Sequence, residues 1–278
     1  MSHPQIAVFA RLANGGARPV RSIEGQKSLL GRTMHAIAYN EVRDEFVVPQ
    51  QFGQAILTFR GDANGEAVPI RVIQGAATGL IEPDRLAIDA VHNEIFVPEG
   101  DHVKVYPLLG NGNVAPIRTI EGAATMLGAS SVAVDPIHNL LTVVGGSRRD
   151  GGTRIMIFDR TASGNTRPLR VVQGNRTQLG QLGGPHGIYP PTGRILVTIR
   201  SQQQSGGLGE PMHTDEGFVG VWSINDNGNV PPRWTIGGPQ GVLQMVRGVA
   251  VNPNHKEVII TDKRLNAILT FSFPELFM

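Results

Sequence analysis

One seven-residue phrase recurs along the chain: "PVRSIEG" (19–25), "PIRVIQG" (69–75), "PIRTIEG" (116–122), "PLRVVQG" (168–174) and a worn copy, "PRWTIGG" (232–238). Each copy hangs on a glycine four residues before its proline: Gly15, Gly65, Gly112, Gly164 and Gly228. Six residues before that glycine stands an aromatic: Phe9, Phe59, Tyr106, Phe158 and Trp222. An arginine follows at the sixth position in four copies (Arg21, Arg71, Arg118, Arg170), with Trp234 in the last. Self-similarity at a period of roughly fifty residues restricts the fold to a solenoid or a propeller.

The periodicity inside each copy is that of strands. "AILTF" (55–59), "IRVIQ" (70–74), "RLAID" (85–89) and "EIFVP" (94–98) are short apolar or β-branched runs parted by Gly, Asn, Asp and Pro. Four strands per unit is the signature of a propeller blade. Asn-Gly at 14–15, 64–65, 111–112 and 227–228 supplies the positive φ of a tight reversal. The proline then suits entry to an outer edge strand. The phrase "PxRxIxG" is therefore read as the outermost strand, its arginine lying over the neighbouring blade or pairing locally.

The expected fold is one all-β propeller of four-stranded antiparallel blades. The repeats fall near 6–54, 55–102, 103–153, 154–218 and 219–266, with a last strand at 267–273. First, second and outer strands each occur five times, but the third strand occurs six times, "AILTF" (267–271) being the extra. Five blades are expected, closed by joining N- and C-terminal strands. Six is the alternative, and it requires an inner strand pair that the sequence lacks.

Function is sought where the copies differ. The first strands read "HAIAYN", "DRLAID", "SSVAVD", "HGIYP" and "RGVAVN", and their common position holds His35, Asp84, Ser130, His186 and Arg247. In a propeller these starting residues, with the loops between second and third strands, border one mouth of the central tunnel. Two imidazoles, a carboxylate, a hydroxyl and a guanidinium suit either of two chemistries. His35, Asp84 and His186 are candidate ligands for one divalent ion (Mg, Ca or Zn). Alternatively His186 serves as general base, His35 and Asp84 as partner acid, and Arg247 as the charge that offsets a developing anion. Ser130, Arg200, His102 and His213 are the candidate substrate-binding residues. His102 lies in "EGDHVKV" beside Glu99 and Asp101. Arg200 and His213 belong to "RSQQQSGGLGEPMHTDEGF" (200–218), an insertion between second and third strands expected on the same side. His92, His138 and His255 recur in the turn between first and second strands and are read as turn residues.

Composition removes other classes. Cysteine is absent, which excludes disulfides and thiolate chemistry. The net charge of +2 and the lack of any basic run argue against nucleic acid, despite a pI near 9.2. No apolar run approaches the ~18 residues of a membrane helix. The start, "MSHPQIAVFA", shows neither a basic region nor an apolar one of the signal-peptide kind, so the compartment stays open. Nucleophile-elbow, P-loop, HExxH and EF-hand motifs are missing, and no organic cofactor is indicated.

The repeat resembles the NHL and YVTN-type propeller repeats, which open on "P-x-G-I-A-V-D" and end in an outer strand of this kind. That resemblance implies fold and little chemistry. "Pro185-His186-Gly187-Ile188" is similar to the blade motif of the streptogramin (virginiamycin B) lyases, whose mouth histidines and divalent metal serve C–O bond elimination. It implies a small-molecule lyase or hydrolase with His186 in the site. The alternative is a non-catalytic NHL-type scaffold that presents a face to a protein or glycan partner.

Overall fold

The computed structural model describes residues 4–32, 34–146, 152–201, 217–238 and 240–278, with the backbone alone at Ser201. The chain divides into two compact units. One comprises Met1–Val97 and Lys104–Ile117, the other Pro98–Val103 and Arg118–Met278. Strands and short 3-10 turns make up the described secondary structure.

In the first unit β1 (Gln5–Val8) pairs with β2 (Arg21–Glu24) as a two-stranded sheet. β3 (Ala38–Asn40), β4 (Glu45–Gln50), β5 (Ala55–Arg60) and β6 (Arg71–Gln74) form a four-stranded sheet in chain order. β7 (Ala87–Asp89), β8 (Glu94–Glu99), β9 (His102–Pro107) and β10 (Arg118–Glu121) form the next, and residues 98–103 and β10 of this sheet are counted with the second unit. In the second unit β11 (Ala129–Asp135), β12 (Leu140–Gly145), β13 (Arg154–Asp159) and β14 (Arg170–Val172) repeat that order. The following sheet splits its first strand, so that β15 (Gln181–Leu182) and β16 (Gly187–Tyr189) both pair with β17 (Arg194–Ser201). β18 (Phe218–Ser223) and β19 (Trp234–Gly237) complete it. The last sheet is three-stranded: β20 (Val246–Asn252), β21 (Glu257–Asp262) and β22 (Ala267–Ser272).

The strand order is that of a five-bladed, all-β propeller with antiparallel blades, as the repeat predicts. Both terminal third strands are used. β1 partners the first outer strand, and β22 partners β21.

Second and third strands carry the core because both of their faces are apolar, the pattern of strands covered on two sides. β4, β8, β12 and β13 are buried along nearly their whole length. Between them lie clusters such as Val47, Ile56, Ile95, Val97 and Tyr106 in the first unit. In the second unit Val144, Ile155, Ile157, Val197 and Trp222 pack together.

The repeated phrase stitches one blade to the next. Gly65 sits at φ 61°, its N–H donates to the Ser22 carbonyl at 2.7 Å, and its own carbonyl accepts from Glu24 N–H at 3.0 Å. Gly112, Gly164 and Gly228 do the same with Val72 and Gln74, Thr119 and Glu121, and Val171 and Gln173. Arg21, Arg118 and Arg170 donate to the backbone carbonyls of Gly61, Arg160 and Ile224, each just past a following third strand. Arg71 instead makes a two-point pair with Glu45 of its own sheet. The phrase ends on a hydroxyl three residues beyond its glycine: Ser28, Thr78, Thr125 and Thr177 are buried and donate to the glycine carbonyl. That hydroxyl also accepts a backbone N–H two residues on, which closes the 3-10 turn.

Candidate functional site

His186 is reached through the break between β15 and β16. There Gly183 N–H donates to the Thr198 carbonyl and Gly184 N–H to Thr198 Oγ1, so the ladder is interrupted and the next side chain turns inward. The imidazole is 5% exposed. Its Nδ1 lies 2.7 Å from Ser131 Oγ and its Nε2 2.9 Å from Thr142 Oγ1. The partners assign the tautomer. Thr142 donates its hydrogen to the Ala133 carbonyl at 3.1 Å and so accepts from Nε2–H. Ser131 accepts the His186 backbone N–H at 2.9 Å and gives its own hydrogen to Nδ1. Both ring nitrogens of His186 are thus engaged by hydroxyls. Ser131 and Thr142 do not stand out in the sequence. Their only signal there is a hydroxyl inside an otherwise apolar strand.

Ser130 and Arg247 occupy the same structural position. Register jumps from Ala129 to Ser131 in β11 and from Val246 to Gly248 in β20, which leaves each of the two residues at a bulge. A bulge re-aims its side chain. Arg247 donates to the Gly183 carbonyl at 3.2 Å. At Gly184 a Cβ would overlap the Arg247 carbonyl oxygen, so glycine is needed for this approach of two backbones. Arg200 donates to Gln181 Oε1 at 2.9 Å, across from β17 to β15. His213 lies outside the described residues, as does most of the insertion that carries it.

In the first unit His35 Nδ1 meets Asp84 Oδ1, and Arg85 Nε stands 3.6 Å from Asp84 Oδ2. His35 is exposed, so solvent reaches this pair. Among the described residues no group of three or more His, Asp or Glu side chains is placed to hold a metal ion.

His102 stands in the second unit with both neighbouring acids. Its Nδ1 is 2.7 Å from Asp101 Oδ1, and its Nε2 is 3.8 Å from Glu99 Oε2. Nε2 is buried and has no hydrogen-bond partner among the described residues. The turn that carries Asp101 is fixed by a two-way backbone bridge, Gly100 to Ala129, at 3.2 and 2.5 Å. That bridge sets the turn one residue from the Ser130 bulge. Asp101, the Gly122–Leu127 turn and Arg154 line a cavity of about 520 Å³. Arg154 is buried and its Nε donates to the Met126 carbonyl at 3.1 Å. A carboxylate and a guanidinium on one cavity wall suit a small polar ligand with an anionic group. The turn histidines serve local structure instead. His92 Nδ1 lies 2.7 Å from Asp89 and His138 Nδ1 2.8 Å from Asp135, both acids also capping their turns.

No known sequence family matches the chain, and no curated protein does. Solved structures match by shape. Hydrazine synthase of Kuenenia stuttgartiensis is similar at a TM-score of 0.56 and 12% identity, over 82% of this chain and 55% of that one. The chain therefore spans about half the length of that relative. A structure of the nidogen/laminin complex matches at a TM-score of 0.60 and 13% identity, over 87% of this chain and 77% of that one. At these identities the likeness is one of fold, and the fold it shows is the β-propeller.

Proposed function

We propose that the chain binds a small polar molecule in the 520 Å³ cavity of its second unit and carries out histidine-based lyase or hydrolase chemistry there. The observation that carries this reading is the Asp101–His102 pair: Asp101 lines the cavity and is held by His102 Nδ1, whose ring is backed by Glu99 at Nε2. In that arrangement Asp101, which lines the cavity, takes a proton from substrate or from water, and His102 orients its carboxylate through Nδ1. Glu99 Oε2 lies 3.8 Å from Nε2. Arg154 offsets negative charge on the bound ligand. His186 holds the adjoining strands in register, and Ser130 lies beside the turn that bears the dyad. The metal reading rests on His35 and Asp84, which supply two donors in the first unit.

The test is a ligand-observed NMR screen of small carboxylates, esters and lactones, run beside an Ala123→Trp variant that fills the cavity from its exposed turn. Binding is expected in the wild type and lost in the variant. Hydrolysis or elimination of a bound member is expected to fall at least about a hundredfold in His102→Asn. Binding that survives Ala123→Trp places the ligand elsewhere and removes the reading.

A second reading, an NHL-type scaffold for a protein partner, is favoured by one observation. Val20, Ile70, Ile117 and Leu169 are exposed at the same position of the repeated phrase. Pull-down with these residues changed to Ser separates the two readings, since the cavity chemistry does not need them.

A further inference from the structure

Four Asn-Gly pairs occur in the chain, at 14–15, 64–65, 111–112 and 227–228. Their glycines share the left-handed backbone, with φ of 60°, 61°, 78° and 77°. Three of the pairs are clamped by a single residue of an outer strand in the same unit. Gly65 N–H donates to the Ser22 carbonyl at 2.7 Å, while Asn64 Oδ1 accepts Ser22 N–H at 3.3 Å. Gly112 and Asn111 hold Val72 in the same way, at 2.6 and 2.9 Å. Gly228 and Asn227 hold Val171 at 2.7 and 3.0 Å. The first pair is bonded differently. Asn14 Oδ1 accepts the N–H of Gly15 itself, at 2.8 Å.

We propose that Asn14 is a site of self-modification, at which the chain deamidates through a succinimide. The reaction needs two groups, the Gly15 nitrogen as nucleophile and Asn14 Cγ as its target. The bond within the first pair keeps these two side by side, and glycine, lacking a Cβ, lets the backbone nitrogen approach. The Gly15 nitrogen forms a bond to Cγ, the Cγ–Nδ2 bond breaks, and ammonia leaves with the proton of the Gly15 amide. Water then opens the ring at either carbonyl to give aspartate or isoaspartate. In the other three pairs the same two groups are turned to the strand. The glycine N–H is bound to a carbonyl and the asparagine oxygen to an N–H. Both bonds must open before the atoms meet, which slows the reaction on the order of tenfold or more. Each event at Asn14 replaces a neutral amide by a carboxylate and lowers the formal net charge of +2 by one. Isoaspartate also adds a backbone methylene to the link between β1 and β2.

Peptide mapping by mass spectrometry tests this on the full chain, incubated at mildly alkaline pH both folded and in urea. In the folded chain Asn14 is expected to convert on the order of tenfold faster than Asn64, Asn111 or Asn227. In urea the clamps are gone, and the four rates are expected to converge. The product at Asn14 is expected to include isoaspartate. Equal rates in the folded chain overturn the proposal. So does an excess at Asn14 that is undiminished in urea, which assigns it to the neighbouring residues. A product that is aspartate alone also overturns it, because direct hydrolysis of the side-chain amide then replaces the attack by Gly15.

Discussion

His186 illustrates how residue chemistry and residue role part company. An imidazole in a glycine-rich break of a first strand has the sequence profile of a site residue. Its two ring nitrogens are nevertheless spent on Ser131 and Thr142, inside the second unit. His186→Ala is expected to cost about 2–4 kcal/mol, because it opens a cavity and leaves two buried hydroxyls short of a partner. Thermal or urea unfolding measures this. Asn, which can meet only part of the network, should fall between. Gly184→Ala is expected to destabilise by about 1–3 kcal/mol for another reason, the overlap of its Cβ with the Arg247 carbonyl oxygen. Differential scanning calorimetry of the two variants would show whether the break in the strand or the side chain at its end matters more.

At the scale of elements, side-chain hydrogen bonds close the turns between strands. The Asp159 carboxylate, at the end of the third strand β13, accepts Thr161 Oγ1–H at 2.5 Å and Thr161 N–H at 2.8 Å. These bonds, the hydroxyl foremost, hold its pKa below the ordinary aspartate value against the opposing effect of burial. A carboxyl whose folded pKa is lowered contributes stability above its unfolded pKa, near ~3.9, and loses it as pH falls through the lower folded value. The acid limb of a Tm-against-pH curve is therefore expected to flatten below about pH 4 in Asp159→Asn. Thr161→Val should give part of that change. The buried hydroxyls of the 3-10 turns offer a second test. Thr78→Val and Thr125→Val are each expected to lose about 1–2 kcal/mol in chemical denaturation, since each removes the hydroxyl's bond to a glycine carbonyl and leaves the Leu80 or Leu127 turn N–H unpaired. Neither hydroxyl stands out in the sequence, although Gly-x-x-Ser/Thr recurs in four of the five copies.

For the whole molecule, charge sets the first expectation. A net charge of +2 spread over 278 residues gives no basic field with which to hold a polyanion. The protein is expected to pass a heparin column unretained at physiological salt. Retention there would point to a local basic surface that the sequence does not display. The described residues include no helix long and apolar enough to cross a membrane.

The sequence by itself determined the elements and their order. A turn needs Asn-Gly, an outer strand tolerates proline at its entry, and a doubly covered strand must be apolar on both faces; each rule acts within a few residues and leaves a local mark. The same rules located His35, Asp84, Ser130 and Arg247 at the starts of first strands, and set His102 between two acids. Only the tertiary structure decided what those side chains do. His35 found Asp84, His186 found two hydroxyls, and His102 settled between Asp101 and Glu99. It also decided that like Asn-Gly turns differ in what holds them. Both outcomes depend on which strand lies alongside or above, and that is a property of neighbours distant in the chain, on which local periodicity is silent.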